Sequence, residues 1–387
     1  MSVLEWPTGL TVYKPEKCCN GYTVYSPHLS PYVYMIDMNG EVVHMWAVNM
    51  QKDDDNQGTT IGTTWYHKFL PKGNLLVFVN RFGVKELDWD SRVVWEYRDK
   101  NAHHDFVRLD NGNTMILTRE LGISEPRISD KPVYDDRFIE VTPSGEIVWE
   151  WRSIDHYDDF EFTPEAKRLI RERGLRNGGV DWLHTNTLEV LPNGNISTCF
   201  REVGMIAIVD KNTGRFLWKY DNLVGPHHPN MLENGNIIVY DNGGQSGYPL
   251  RWRNYTRLLE INPQTNEIVW EYSYLPQNWE RTHFSSLQGR HRSQFFSTAW
   301  GSIQRLPNGN TFSLDATGGR LFEITAEGEI VWEYVNPYLS FSFEPYAAGS
   351  SVNRGVYRCY RISYEDAPQA STHGTSGKAL YRPGYRI

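Results

Sequence analysis

The chain has little of what marks several large protein classes. Only four of its 387 residues are cysteine, and Cys18 and Cys19 are adjacent, which is a poor arrangement for a disulfide. Asp and Glu outnumber Lys and Arg, the net charge is −8, and no basic run occurs. No segment is long and apolar enough to cross a membrane. These absences argue against a disulfide framework, a nucleic-acid partner and a membrane partner.

The N-terminal segment, Met1–Pro7, also lacks the basic and apolar regions of a signal peptide. Together with the low cysteine content, this leads us to expect a reducing, cytoplasmic compartment. Length alone permits one or two domains. The repeats described next occupy residues from about 20 to 335, which favours a single domain over residues 1–387.

What the chain has instead is a motif that returns five times. Each copy is a leucine followed by a turn that ends in Gly-Asn, and the copies begin at Leu70, Leu109, Leu191, Leu232 and Leu306. Asn-Gly between apolar runs favours a hairpin, because both residues tolerate positive φ. A second, interleaved motif is a β-rich stretch that ends in tryptophan, with clear copies at Trp149, Trp270 and Trp332 and weaker ones at Trp46, Trp95 and Trp218.

A repeat of roughly 40 to 60 residues with about four short strands cannot bury both faces of its sheet alone. Radial stacking solves this, so the six tryptophan-bearing hairpins predict a six-bladed β-propeller of four-stranded antiparallel blades. An open solenoid or a sandwich is the alternative. The blades are predicted at roughly 20–46, 65–97, 103–151, 184–220, 227–272 and 295–334, and residues 335–387 are predicted to form a closing strand near 356–361 and a tail.

Two segments interrupt the β pattern. Residues 163–174 predict a short helix between blades three and four, with Thr163 as its N-cap and Gly174 at its end. Residues Trp279–Ser297 contain His283, Arg290, His291 and Arg292 and are predicted to form a lid between blades five and six.

Histidines recur just before the Gly-Asn turns, at His67, His103, His104, His184, His227 and His228. In a propeller the first strand of every blade lines the central axis, so residues at the start of those strands converge on one mouth of the channel. A single histidine there is often structural. Several neutral imidazoles at one opening suit acid–base chemistry, nucleophilic catalysis or metal binding.

Several motifs resemble the bacterial arylsulfate sulfotransferase family, whose fold is a six-bladed propeller. They are the run Asp181–Thr187, the stretches 196–202 and 210–218, the His103-His104-Asp105 element, the Gly225–His228 element followed by Tyr240–Gly243, and the late Arg305–Asn310 repeat. The resemblance spans most of the chain, and its sharpest part is the Trp-x-His-x-Asn signature at 182–186 with an arginine downstream.

The resemblance implies transfer of a sulfuryl group between phenols through a sulfohistidine, without the nucleotide donor PAPS and without a metal or other cofactor. The nucleophile falls on His228, with His227 as its rival. His104 and His184 fall on the histidines that bind and polarise the sulfate, Arg201 on the family's arginine and Asn186 on its asparagine. These residue types fit the chemistry, because cationic and hydrogen-bonding groups stabilise charge on the sulfuryl oxygens.

The same reading implies an aryl sulfate and a phenol as small-molecule partners. His103 is expected beside them, and Trp182, Tyr66 and Trp300 are candidates to stack on a phenol ring, with packing between blades as the alternative. Thr187 and Pro229 depart from the family's serine and aspartate.

Three other functions stay open on sequence alone. A polysaccharide lyase acting on uronates would use His104, His184, Arg201 and a tyrosine. A metal-dependent hydrolase would use several of the histidines as ligands, with Asp105 and Asp181 supporting them. A non-catalytic binding propeller would need none of these groups.

Overall fold

The structure is a computed structural model that describes residues 7–48, 63–70, 73–274, 295–342 and 351–373. Most of the predicted lid, residues 279–294, lies outside these ranges, as does the tail from residue 374. Six four-stranded antiparallel sheets are arranged as blades in a ring, which confirms the six-bladed β-propeller. No helix among the described residues has the length and apolar character needed to span a membrane.

The blades follow one another around the ring in chain order. Strand β1 spans Gly9–Tyr13. Blade 1 contains β2 (Tyr22–Pro27), β3 (Tyr32–Ile36) and β4 (Val42–Ala47). Blade 2 contains β5 (His67–Phe69), β6 (Leu75–Val79), β7 (Gly83–Leu87) and β8 (Val93–Arg98). Blade 3 contains β9 (Phe106–Arg108), β10 (Thr114–Ile123), β11 (Val133–Val141) and β12 (Ile147–Arg152). Blade 4 contains β13 (Thr185–Val190), β14 (Ile196–Phe200), β15 (Met205–Val209) and β16 (Phe216–Tyr220).

Blade 5 contains β17 (Pro226–Met231), β18 (Ile237–Asp241), β21 (Arg257–Asn262) and β22 (Glu267–Ser273), and carries the hairpin of β19 (Gly244–Ser246) and β20 (Arg251–Arg253). Blade 6 contains β23 (Ile303–Arg305), β24 (Thr311–Asp315), β25 (Arg320–Ile324) and β26 (Ile330–Val335). A small hairpin of β27 (Ser340–Ser342) and β28 (Ser351–Asn353) precedes β29 (Val356–Ile362).

The predicted helical insertion between blades three and four is present. A 3-10 helix at Ser153–Phe160 leads into α1 (Pro164–Glu172), and the Thr163 side chain accepts a hydrogen bond from the Ala166 amide as an N-cap. Helix α1 ends before the expected Gly174, because Arg173 already leaves the helical conformation. A second short helix, α2 (Pro368–His373), follows β29.

Both chain termini contribute to closing the ring. Strand β29 pairs antiparallel with β2, with Tyr22 opposite Ile362, and supplies the innermost strand of blade 1. Strand β1 pairs with β26, with Gly9 opposite Val335, and adds a fifth strand to the outer edge of blade 6. The sequence did not predict this fifth strand.

The repeated tryptophans explain how adjacent blades are joined. In five of the six repeats the indole N–H on the outer strand donates to the turn between the third and fourth strands of the next blade, and these bonds run from Trp95 to Pro143, Trp149 to Lys211, Trp218 to Asn266, Trp270 to Ala326 and Trp332 to Met38. The sixth, Trp46, is buried, and its indole N–H has no partner among the described residues. The bond from Trp332 to Met38 connects blade 6 to blade 1. The tryptophan motif therefore encodes contacts between blades as well as strands within them.

We expect Trp332→Phe to lower the free energy of unfolding by about 2–3 kcal/mol, because Trp332 is fully buried and its loss leaves the Met38 carbonyl without a donor. Trp270→Phe is the matched control. Trp270 is half-buried and water can replace its bond to Ala326, so we expect a loss under about 1 kcal/mol. Urea unfolding followed by circular dichroism measures both, and equal losses would contradict the proposed role of the buried bond.

Candidate active site

The histidines meet where the inner strands begin, and there the backbone turns sharply. His104, His184 and His228 have φ values of 56°, 51° and 52°, in the left-handed region that residues other than glycine seldom adopt. Trp300, just before β23, has φ 64°. Such conformations cost free energy and cluster at functional sites. Four blades thus present similarly turned residues at one mouth of the channel.

His103 and His104 are coupled through their rings. Their Nδ1 atoms are 2.6 Å apart, and His103 Nε2 lies 3.6 Å from an oxygen of Asp136. One proton must lie between the two Nδ1 atoms, because two lone pairs or two N–H groups at this distance would repel each other. The protonation of His103 therefore fixes which nitrogen of His104 carries its proton. Burial, and then the nearby charge of Asp181, raise the pKa of Asp136 to about 6.

His184 faces His104 from the neighbouring blade. The two ring centroids are 5.0 Å apart with an interplanar angle of 75°. His184 Nδ1 lies 2.6 Å from Asp181 Oδ2, and Arg176 Nη1 lies 3.2 Å from the same oxygen. Burial opposes ionisation of Asp181, but His184 beside it holds the pKa of this carboxyl below its ordinary value. Both His104 and His184 are half-buried, so a small molecule in the mouth can reach them.

His227 is held in one tautomer by Asn242. The Asn242 amide nitrogen donates to the carbonyls of Ser297 and Trp300, at 2.9 and 2.7 Å, so its oxygen faces His227. His227 Nδ1 lies 2.7 Å from that oxygen and 3.0 Å from the Gly225 carbonyl. Nδ1 must therefore carry the proton, which leaves the lone pair on Nε2. Within the described part of the chain this Nε2 has no hydrogen-bond partner.

His228 points elsewhere, because the register of β17 shifts between His227 and Asn230 and turns the His228 ring toward blade 6. Its Nδ1 lies 3.2 Å from both the amide and the carbonyl of Ile303 and 3.0 Å from the Asn230 amide nitrogen. Its ring packs 5.9 Å from that of Tyr360. His228 is thus bound to blade 6, and its Nδ1 is already occupied. For both His227 and His228, burial lowers the pKa well below 6.5.

Arg201 supplies a cation next to these histidines. Its backbone amide donates to the His184 carbonyl over 3.3 Å. Burial lowers the pKa of His227 most, and the charge of Arg201 lowers it further. The guanidinium donates to Glu202, which also binds Arg173 Nη2 at 2.5 Å. Arg173 directly follows α1, so the insertion helps to orient Arg201 through Glu202.

A buried ion pair closes the channel beneath the histidines. Arg358, on β29, is fully buried, and its Nη1 lies 2.8 Å from Asp105 Oδ2. Its Nη2 donates to the Asn186 carbonyl at 2.7 Å, and its guanidinium lies 4.7 Å from the centre of the Tyr66 ring. Asp105 also accepts the amide of Leu188 at 2.9 Å. This network connects four blades across the axis.

Several residues expected to contact substrate are instead part of the interior. Trp182 is 1% exposed and donates to the Tyr134 carbonyl, and Tyr66 is fully buried against Arg358. Neither can hold a phenol ring in the channel, which corrects that expectation. Asn186 is also fully buried, and its amide supports the Pro226 carbonyl next to His227. Trp300 is half-buried and stacks on His28 with centroids 4.2 Å apart.

His67 does not join the other histidines: it is fully buried, and neither ring nitrogen has a partner among the described residues. Sequence reasoning missed five residues of the site, namely Arg119, Asp136, Arg176, Asn242 and Arg358. Only Asn242 carried a signal, because it follows the strand of a Gly-Asn repeat. The part of the chain that the structure describes contains no group of three or more His, Cys, Asp and Glu side chains arranged to hold a metal ion.

Comparisons with solved structures find similar proteins at low sequence identity. The chain is 15% identical to a protein of unknown function from Bacteroides caccae, with a TM-score of 0.51 over 81% of this chain and 93% of that one. It is 14% identical to a streptogramin B lyase, with a TM-score of 0.46 over 87% and 88% of the two chains. For virginiamycin B lyase from Staphylococcus aureus, the values are 10% identity and a TM-score of 0.43, over 86% and 89%.

No curated protein matches the chain significantly. The model of the arylsulfotransferase (ASST) family, by contrast, matches residues 13–222. This match includes His104, His184 and Arg201 and covers more than half of the sequence. The chain belongs to the arylsulfotransferase family.

Proposed function

We propose that this protein transfers a sulfuryl group from an aryl sulfate to a phenol, with His227 as the nucleophile. Membership of the family supports a sulfotransferase-like enzyme. The observation that carries the proposal is the arrangement of His227, a neutral imidazole whose Nδ1 proton is bound by Asn242 while Nε2 has no partner among the described residues. This is what an attacking imidazole requires.

The first half of the reaction forms a sulfohistidine. The Nε2 lone pair of His227 attacks sulfur, the bond between sulfur and the aryl oxygen breaks, and the phenolate leaves with that electron pair. In this proposal His104 and Arg201 bind the sulfuryl oxygens as charge develops on them. The protonated form of His184, oriented by the contact of its Nδ1 with Asp181, gives its Nε2 proton to the phenolate and becomes neutral.

The second half reverses these steps with a different phenol. His184 takes the proton of the acceptor, the phenol oxygen attacks sulfur, and the bond between sulfur and Nε2 breaks. The electron pair returns to His227, and the protonated His184 is ready for the next cycle. No redox change or further reactant is needed.

The test is an assay of the purified protein with 4-nitrophenyl sulfate, with and without added phenol. We expect nitrophenol release to rise with phenol concentration and phenyl sulfate to form in equal amount. Release without dependence on an acceptor would indicate hydrolysis. An absence of release from any aryl sulfate would reject the proposed function.

The pH dependence follows from the lowered pKa of His227. Burial and the charge of Arg201 hold this pKa well below 6.5, so the imidazole stays neutral and nucleophilic as the pH falls from 8 to 6. With 4-nitrophenyl sulfate, whose leaving group needs little help from a proton donor, we expect kcat/KM to change by less than about twofold over this range. Activity should be lost only at lower pH, when His227 takes up a proton. An acidic fall centred near pH 6.5, with the fold intact by circular dichroism, would contradict this assignment.

A further inference from the structure

Arg119 is a cation at the histidine cluster whose charge acts on His103, Asp136 and Asp181. It lies on β10 directly opposite Asp136 of β11, and side chains in this relation are close neighbours. Among the described residues, however, Arg119 forms no ion pair or hydrogen bond, and its guanidinium lies over the ring of Tyr134, 5.3 Å from the centroid. Asp136 instead accepts the amide of Thr185 at 2.7 Å. The arginine is therefore half-buried, and within the described residues its guanidinium is held by a ring contact rather than by a direct hydrogen bond, while its charge acts on Asp136 and Asp181.

A second arginine borders the same place. The hydroxyl of Tyr134 donates to the carbonyl of Arg176, which fixes the ring under Arg119 next to the segment that follows α1. The Arg176 side chain is 55% exposed and reaches Asp181 and His184, with Nη1 3.3 Å from His184 Nδ1. The Tyr134 ring thus contacts the Arg119 guanidinium and the Arg176 backbone, while the Arg176 guanidinium binds Asp181.

The position of Arg119 differs from that of Arg201. Burial is the largest cause of the lowered pKa of both His103 and His227. The second cause is the charge of Arg119 for His103 and the charge of Arg201 for His227. Arg119 lies on β10 of blade 3, opposite Asp136, whereas Arg201 directly follows β14 of blade 4, so the two cations approach the histidines from different blades. If sulfur is bound next to His227 and Arg201, a substituent of the aromatic ring can extend past His104 toward Arg119. A planar guanidinium without a direct ion pair is well suited to bind a carboxylate.

We propose that Arg119, assisted by Arg176, forms a subsite for an acidic substituent, so that the preferred substrates are phenols and aryl sulfates that carry a carboxylate. This inference rests on the proposed function and names its substrate class.

The experiment compares 4-hydroxybenzoate with phenol as acceptors, using 4-nitrophenyl sulfate as donor. We expect the wild type to prefer 4-hydroxybenzoate in kcat/KM. In Arg119→Gln the ratio of the two kcat/KM values should fall by about tenfold to hundredfold, as expected for loss of a charge-assisted hydrogen bond. Arg119→Lys should retain part of the preference. Arg92→Gln, which removes an exposed arginine of blade 2, is the control for net charge and should leave the ratio unchanged.

A wild type without preference for the acid, or equal losses for both acceptors in Arg119→Gln, would overturn the subsite. If no aryl sulfate is turned over, the sulfotransferase proposal fails separately. Calorimetry with 4-hydroxybenzoate and phenol then still tests the subsite: binding of the acid alone, weakened in Arg119→Gln, would support it, and no difference would reject it.

Discussion

Replacement of His227 by asparagine is expected to lower kcat by about 10⁴-fold or more, because the nucleophile of a covalent mechanism has no substitute. His228→Asn is the matched variant, one residue away and equally buried. Since His228 Nδ1 is bound by Ile303 and Asn230, its replacement should cost less than about tenfold through small shifts of the backbone.

The covalent intermediate separates the two histidines directly. Incubation with donor but no acceptor, followed by intact-mass analysis at alkaline pH, should show a gain of one sulfuryl group in the wild type and in His228→Asn. The gain should be absent in His227→Asn. Retention of the adduct in His227→Asn and its loss in His228→Asn would transfer the role to His228, and thermal unfolding of each variant shows whether the fold is kept.

The second large effect concerns stability. Asp105→Asn should lower the free energy of unfolding by about 3–5 kcal/mol, because Arg358 then stays in the interior without its carboxylate. The substitution preserves shape, so loss of charge rather than of packing is tested. Urea unfolding monitored by tryptophan fluorescence measures the change.

Two further variants make this prediction specific. Lys14→Gln removes an ion pair with Glu329 in which both side chains are about two-fifths exposed, and it should cost less than about 1 kcal/mol. Asp105→Asn combined with Arg358→Met removes both charges and should recover part of the loss. If the Asp105→Asn protein is as stable as the wild type, or loses no more free energy of unfolding than the Lys14→Gln protein, the buried pair does not stabilise the ring.

The fold could be predicted because its signals are local and repeated. A Gly-Asn turn or a strand that ends in tryptophan is recognisable within about ten residues, and several copies reinforce one another. The pairing of β1 with β26 could not be predicted in this way. Gly9–Tyr13 carries no repeat motif, and its partner lies more than 300 residues away, where only the closed ring brings the two together.

The site was predictable in part for a related reason. The histidines share one phase of the repeat, so their convergence follows from the fold. The roles of Arg119, Asp136 and Arg358 depend on which blades face them, and no pattern near these residues shows it. The aromatic residues illustrate the opposite difficulty. Trp182 and Tyr66 lie beside predicted site residues in the sequence, but large rings also fill the space between blades, and for these two residues packing accounts for their position.

The location of Arg358 on β29 has a consequence for biosynthesis. A ribosome must produce blades 2 to 6 before this strand exists, so the ring cannot close and Asp105 lacks its Arg358 counter-ion until residues 356–362 have been synthesised. A chain truncated before residue 356 would lack both the innermost strand of blade 1 and the support beneath the histidines. Closure of the ring and neutralisation of Asp105 therefore depend on the same strand, and chains that lack β29 should be inactive as well as vulnerable to proteolysis.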